Sequence, residues 1–139
     1  MPAVRAGRDM AVLDLNSAEI AKLGRPEADL AMDVAPSELA GLVPSKSSVV
    51  TIRFDRFSDG RGFTIARRLR EALGHSGAIL ASGHLIHDQA GYLRRCGFSH
   101  AEIAPGSLRQ WRLSLSLSPP PMQQLLSGRR ARDQDAATS

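Results

Sequence analysis

The densest apolar run in the chain is Ser48–Phe54, where β-branched residues follow one another almost without alternation, as in a strand buried on both faces. After a glycine-bearing loop, Asp55–Gly62, the spacing becomes helical. Ile65, Ala66, Leu69, Ala72 and Leu73 share one side of a helix that begins at Phe63 or Thr64 and runs to Leu73, with Gly74 and Gly77 ending it. A second strand fits Ala78–Ser82, a helix fits Leu85–Cys96, and a further strand follows near Ala101–Ala104. Upstream, Asp29–Val34 reads as a short strand, and Pro36 opens a helix that ends near Gly41.

Strands alternating with helices of about ten residues predict an α/β domain. Its sheet is small and mainly parallel, with about four to five strands, and either open or curled as part of a barrel. Trp111, Leu113, Leu115 and Leu117 alternate with Arg112, Ser114, Ser116 and Ser118, the period of a half-buried edge strand. The organisation expected is a partly mobile N-terminal segment over 1–24, a single domain over 25–118 and a proline-started, basic, disordered tail over 119–139. Within the first segment Ala18, Ile20, Ala21 and Leu23 form a short helical pattern.

A chain of 139 residues, 42% hydrophobic and 23% charged, suits one globular domain with one modest core. No run of about 18 apolar residues is present, so neither a membrane span nor a secretory leader is expected, and the cytoplasm is the expected compartment. Cys96 is the one cysteine, which rules out an internal disulfide and a multi-cysteine zinc site; a buried, inert thiol is the favoured reading. His84 and His87 stand three apart without a matching carboxylate pattern, and no metal site is expected from them. Of the eighteen basic residues sixteen are arginine, against fourteen acidic ones, for a net charge of +4. The planar guanidinium suits carboxylate, sulfate and phosphate. With only 4% aromatic residues the stacking platforms of single-strand binding are scarce, and nucleic acid is the least favoured partner.

Two strand-to-helix junctions concentrate candidate chemistry. In Asp59, Gly60, Arg61 and Gly62 the glycines could let backbone N–H groups approach an anion that Arg61 clamps. Equally, Asp59 could cap the helix or pair with an arginine in a plain tight turn. In the second junction, Gly83 and His84 precede Asp88 and Gln89, which could converge with the first loop on one polar site. The alternative, and the favoured one, is a structural lock in which Asp88 ties down Arg61 or Arg95. The other arginines, Arg67, Arg68, Arg70 and Arg94, read as solvated helix faces, with Arg67 and Glu71 at ion-pair spacing.

Phe57, Asp59-Gly60-Arg61-Gly62, Ala66-Arg67, Leu69-Arg70, Gly77, Ala81, Gly83, Asp88-Gln89 and Arg95-Cys96-Gly97-Phe98 together resemble the domain-of-unknown-function family 934. The likeness is close over about forty residues and looser from Asp29 to Ser118. Members are bacterial proteins encoded beside assimilatory sulfite reductase, and some carry the name of an oxidoreductase of sulfite reduction, a name that rests on neighbourhood. The resemblance thus implies a process, sulfur assimilation, rather than a reaction. Three positions depart from the family pattern. His84 stands where an aspartate is usual, Phe63 replaces a tyrosine, and Leu80 occupies a frequent arginine position. The stretch Gly106–Gln110 also leaves little room for the helix expected before a last strand.

These readings converge on a non-catalytic accessory of assimilatory sulfite or sulfate reduction. It would bind a partner enzyme, sulfite reductase or another enzyme of the process, or a small anion, through the two junctions and Arg95. A chain without a cofactor fingerprint or a cysteine pair has little equipment for multi-electron reduction of sulfite. The rival expectation is a small oxidoreductase holding a phosphate-containing cofactor, with Arg61 on the anion and His84, His87 or Asp88 as acid or base.

Overall fold

The computed structural model describes residues 10–118. A six-stranded sheet forms the centre: β1 (Ala11–Asp14), β2 (Ile20–Ala21), β3 (Ala28–Leu30), β4 (Val50–Phe54), β5 (Ile79–Gly83) and β6 (His100–Ile103), in the order β2-β1-β6-β5-β4-β3. Strands β3 to β6 are mutually parallel, β1 runs antiparallel to β6, and β2 antiparallel to β1. The four helices are α1 (Leu39–Leu42), α2 (Arg61–Glu71), α3 (Ala90–Cys96) and α4 (Leu108–Leu117). Single 3₁₀ turns lead into α1, α3 and α4, two of them opened by Pro36 and Pro105. The chain is therefore a small α/β domain, as its pattern predicts, with the N-terminal hairpin raising the strand number to six. Among the described residues no helix is long and apolar enough to cross a membrane.

Because β3, β4, β5 and β6 lie side by side in chain order, each right-handed crossover steps the same way, and the helices gather on one face. That face carries Leu30, Val50, Ile52, Phe54, Ile79, Ala81, Ala101, Ile103 and Leu13, all buried. At its middle Phe54 meets Phe63 of α2 edge-on, with ring centroids 5.2 Å apart, and Phe98 at 5.7 Å. Phe63 also packs on Tyr92 of α3 at 4.7 Å. Gly62 permits this approach, since a Cβ there would lie 2.5 Å from the Phe54 ring and 2.7 Å from Met32 Cε.

Among the described residues the opposite face carries no helix. Its side chains alternate with the core ones and include Asp29, Thr51, Arg53, Leu80, Ser82, His100, Glu102, Val12 and Asp14. Thr51, Leu80 and Ser82 are nevertheless buried. β2 and β3 sit at opposite edges of the sheet and are joined by Lys22–Glu27, within which Leu23 is half-buried.

Two expectations are corrected. The segment read as an edge strand, Trp111–Leu117, is the helix α4. The alternation there is real but secondary. Leu108, Trp111 and Leu115 follow helical spacing and turn inward, whereas Leu113 and Leu117 remain 59% and 76% exposed. The flank of β6 that an added strand would need is occupied by β1. The helical pattern at Ala18–Leu23 is likewise a tight turn followed by β2. Asp14 Oδ1 accepts the backbone N–H groups of Asn16 and Ser17 at 2.8 and 3.1 Å, and Ala18 takes a positive φ of 63°, a local arrangement that competes with helix formation. The tail over 119–139 and the residues before Met10 lie outside the described residues.

Candidate functional site

Loops that follow β4, β5 and β6 meet at the C-terminal edge of the parallel strands, where ligands bind in sheets of this kind. The first is drawn tight by Asp59. Its carboxylate accepts the backbone N–H of Arg61 at 3.0 Å, and takes Arg61 Nε at 3.0 Å and Nη2 at 2.7 Å. The guanidinium beside it lowers the Asp59 pKa to about 2. Asp59 is thus an ionised turn-former that opens α2 and fixes the fork of Arg61. The Arg61 side chain stays 61% exposed, against 15% for Asp59. Helix α2 begins two or three residues earlier than periodicity suggests because this pairing stabilises its first turn.

The glycines divide by role. Gly60 has φ −71° and open space where a Cβ would stand, so its position imposes no demand for glycine. Gly62 is a packing glycine inside the first turn of α2. Gly83 ends β5 with φ 90°, and a Cβ on it would lie 2.4 Å from the Phe54 carbonyl oxygen. Beyond it the His84 N–H donates to that same carbonyl at 2.9 Å, which carries the β4–β5 pairing one step past the strands and leaves the imidazole exposed.

Gln89 reaches across to the first loop, its Nε2 donating to the Phe57 carbonyl at 3.0 Å. Phe57 itself is 46% exposed. Asp88 does not tie down Arg61 or Arg95. It is 80% exposed and stands 3.2 Å from His87 Nδ1. The loop around Arg61 and the segment around Gln89 therefore come together through backbone and amide, and the lock between Asp88 and an arginine is absent because each has a nearer partner.

Arg95 is placed elsewhere. It lies near the C-terminal end of α3, over the Tyr92 ring at 5.7 Å, at the opposite, N-terminal edge of the sheet. Around it stand residues whose arginines read as solvated from sequence. Arg70 is half-buried and donates to the carbonyls of Gly97, His75 and Gly77 at 2.8–2.9 Å. Burial pulls its pKa down. Arg94 donates to the Leu15 carbonyl at 3.3 Å. Arg67 turns to Cys96 Sγ at 3.4 Å rather than to Glu71, and Cys96 is buried. The signal for Arg70 was present: it lies four residues after buried Ala66 and next to Leu69, at the margin of the apolar stripe.

A cavity of about 420 Å³ opens at the ends of β5 and β6, lined in part by Gly83, Leu85, His87, Asp88, Glu102 and Trp111. Burial raises the Glu102 pKa, opposed by the charge of Arg53. Arg53 itself pairs with Asp29 on the helix-free face. Glu102 escaped the sequence reading, although His100-Ala101-Glu102-Ile103 alternates polar and apolar as a two-faced strand does. Among the described residues no three His, Cys, Asp or Glu side chains gather as metal ligands would.

Residues 29–123 match the sequence profile of a family described as bacterial protein of unknown function (DUF934). No curated protein and no solved structure matches the chain.

Proposed function

The chain belongs to the DUF934 family, and from that premise we propose that it is an accessory protein of assimilatory sulfite or sulfate reduction, which holds a partner enzyme at the C-terminal edge of its parallel strands. The observation that carries the reading is the joining of two strand-end loops by the Gln89–Phe57 bond into one projecting surface. Along these loops Phe57 offers a half-exposed aromatic ring, Arg61 a fixed and exposed guanidinium, and Asp88 an exposed carboxylate beside His87. An exposed aromatic beside an arginine is the composition of an interface centre rather than of an enclosed reaction site. The partner class comes from the family resemblance, whose members neighbour sulfite reductase genes. The test is affinity capture of the tagged protein from sulfate-grown cells, with an absorbance spectrum of the purified material. Sulfite reductase should be retained by the wild type and lost by Phe57→Ala and Arg61→Ala. Its absence from the wild-type capture overturns the proposal.

A second reading rests on the cavity at the ends of β5 and β6, whose volume falls in the range of about 300–1,000 Å³ typical of small-molecule sites. There His87, Asp88 and Glu102 would serve a small oxidoreductase with a phosphate-containing cofactor. A chromophore that copurifies with the protein, and is lost on Glu102→Gln, would favour this reading over the accessory one.

A further inference from the structure

Helix α4 keeps two leucines in water. Leu113 and Leu117, 59% and 76% exposed, are the most exposed large apolar side chains among the described residues, and they stand one turn apart on one stripe of the helix. Arg109 is exposed on the same stripe, one turn earlier. Beside the stripe a groove of about 270 Å³ runs between α4 and the 3₁₀ turn His87–Gln89, walled in part by Leu113, Leu117, Ser118 and Asp88. Ser116 Oγ donates to the Leu113 carbonyl at 2.7 Å and Ser118 Oγ to the Ser114 carbonyl at 2.9 Å, so both hydroxyl protons are spent within the chain's own last turns. Arg112 turns aside to the Ala18 carbonyl and Glu19. Arg109, by contrast, has no ion pair with any described residue, and Asp88, 80% exposed, has only the imidazole of His87.

We propose that this face of α4 pairs with the same face of a second copy of the chain, as a twofold homodimer with the two helices antiparallel. Positions 109 and 117 are equidistant from 113 along the helix. An axis passing beside Leu113 therefore sets the two Leu113 side chains together and lays Arg109 of each copy over Leu117 of the other, at the groove that carries Asp88. The aliphatic stem of Arg109 then covers the leucine while its guanidinium meets the Asp88 carboxylate, a pairing that the symmetry makes twice. One patch holding apolar, acidic and basic groups in this order is its own complement, as an isologous contact requires. With two leucines and one arginine per copy the contact falls short of the about 800 Å² per partner of standard interfaces. The dimer is weak, and dilute solutions such as those of unfolding experiments hold the monomer. The pairing does not rest on the accessory reading, whose surface is centred on Phe57 and Arg61.

The experiment is sedimentation equilibrium of the full chain over a range of concentrations, with circular dichroism of each variant to show that the fold is kept. Wild type should show reversible monomer–dimer association. Leu113→Ser and Leu117→Ser should each raise the dissociation constant about tenfold or more, because the symmetry removes two buried leucines per dimer. Asp88→Arg and Arg109→Asp should each weaken the dimer as well, by setting like charges against one another, and the chain carrying both substitutions should recover it. Leu42→Ser, at an exposed leucine of α1, should leave association unchanged. A wild type that is monomeric at every concentration, a dimer unaffected by both leucine variants, or charge reversals that have no effect or do not rescue one another, overturns the proposal. A monomeric wild type that retains sulfite reductase, and loses it in Leu113→Ser or Leu117→Ser, overturns it too and assigns the stripe to the partner enzyme.

Discussion

The side-chain amide of Gln89 donates to the backbone carbonyl of Phe57 at 3.0 Å, bridging two loops 32 residues apart in the chain. A partly exposed neutral hydrogen bond of this kind contributes at most about 1 kcal/mol to stability. Its geometric effect is larger, because it sets the Phe57 loop against the start of α3. Gln89→Ala should therefore leave urea unfolding almost unchanged while weakening retention of the partner enzyme in affinity capture. Equal retention by wild type and variant would show that the two loops act separately.

The glycines of the first loop separate packing from conformation. In Gly62→Ala the new methyl meets the Phe54 ring, which is itself held by Phe63 and Phe98, so the neighbour has little freedom to yield. A loss of about 1–3 kcal/mol is expected from overpacking. Gly83→Ala combines a close approach to the Phe54 carbonyl with a positive φ, and should also destabilise. Gly60→Ala meets nothing and should be neutral or slightly stabilising. Denaturant midpoints of the three variants check the order, and equal effects at Gly60 and Gly62 would contradict it.

Much of this architecture was legible in the chain. Apolar runs at 48–54 and 78–82 and the helical spacing at 65–73 locate β4, β5 and α2, because strands buried on both faces are apolar throughout and a helix buried on one side is apolar at its own period. The two misread segments share a cause. A period seen over only four apolar positions fits two geometries, and distant structure decides between them. At 111–117 the deciding fact is that β1, ninety residues upstream, already occupies the flank of β6. At 18–23 it is the Asp14 carboxylate, which claims backbone donors a helix would need. Convergence of the strand-end loops was foreseeable from topology, but the particular bond was not, since Gln89 meets a carbonyl that no side-chain pattern can announce. Separation of Arg95 from Arg61 follows from α3 running between the two edges of the sheet.

The helical assignment of the last element makes a sharp prediction. Trp111→Ala should destabilise by about 3–5 kcal/mol, as for a large buried aromatic. Leu117→Ser, on the outward side, should change stability by no more than about 0.5 kcal/mol. An edge strand would place Trp111, Leu113, Leu115 and Leu117 on one side and make their losses comparable. Chemical denaturation of Trp111→Ala, Leu113→Ser and Leu117→Ser therefore discriminates the two geometries, and a large loss at Leu113 or Leu117 would count against the helix.

Two histidines link stability to pH. His75 is buried, and its Nε2 donates to the Ser48 carbonyl at 2.8 Å; burial lowers its pKa, with the Ser48 bond opposing and the Arg70 charge adding. His100 is lowered by burial as well, with Asp14 opposing and Arg70 adding. Both folded pKa values thus lie below the ordinary value of 6.5, and as pH falls through that value the unfolded chain takes up protons first. Stability should be flat above about pH 7 and decline through and below 6.5 until the folded values are passed. Glu102 acts with the opposite sign. Its pKa is raised, so the native state carries an unfavourable buried charge at neutral pH that is relieved by protonation. Glu102→Gln should raise stability at pH 7, with the gain fading as pH is lowered toward the ordinary carboxylate range, whereas His100→Asn should flatten the decline below 6.5. Urea midpoints across this range test both, and a variant profile parallel to wild type in either case would remove that residue from the account.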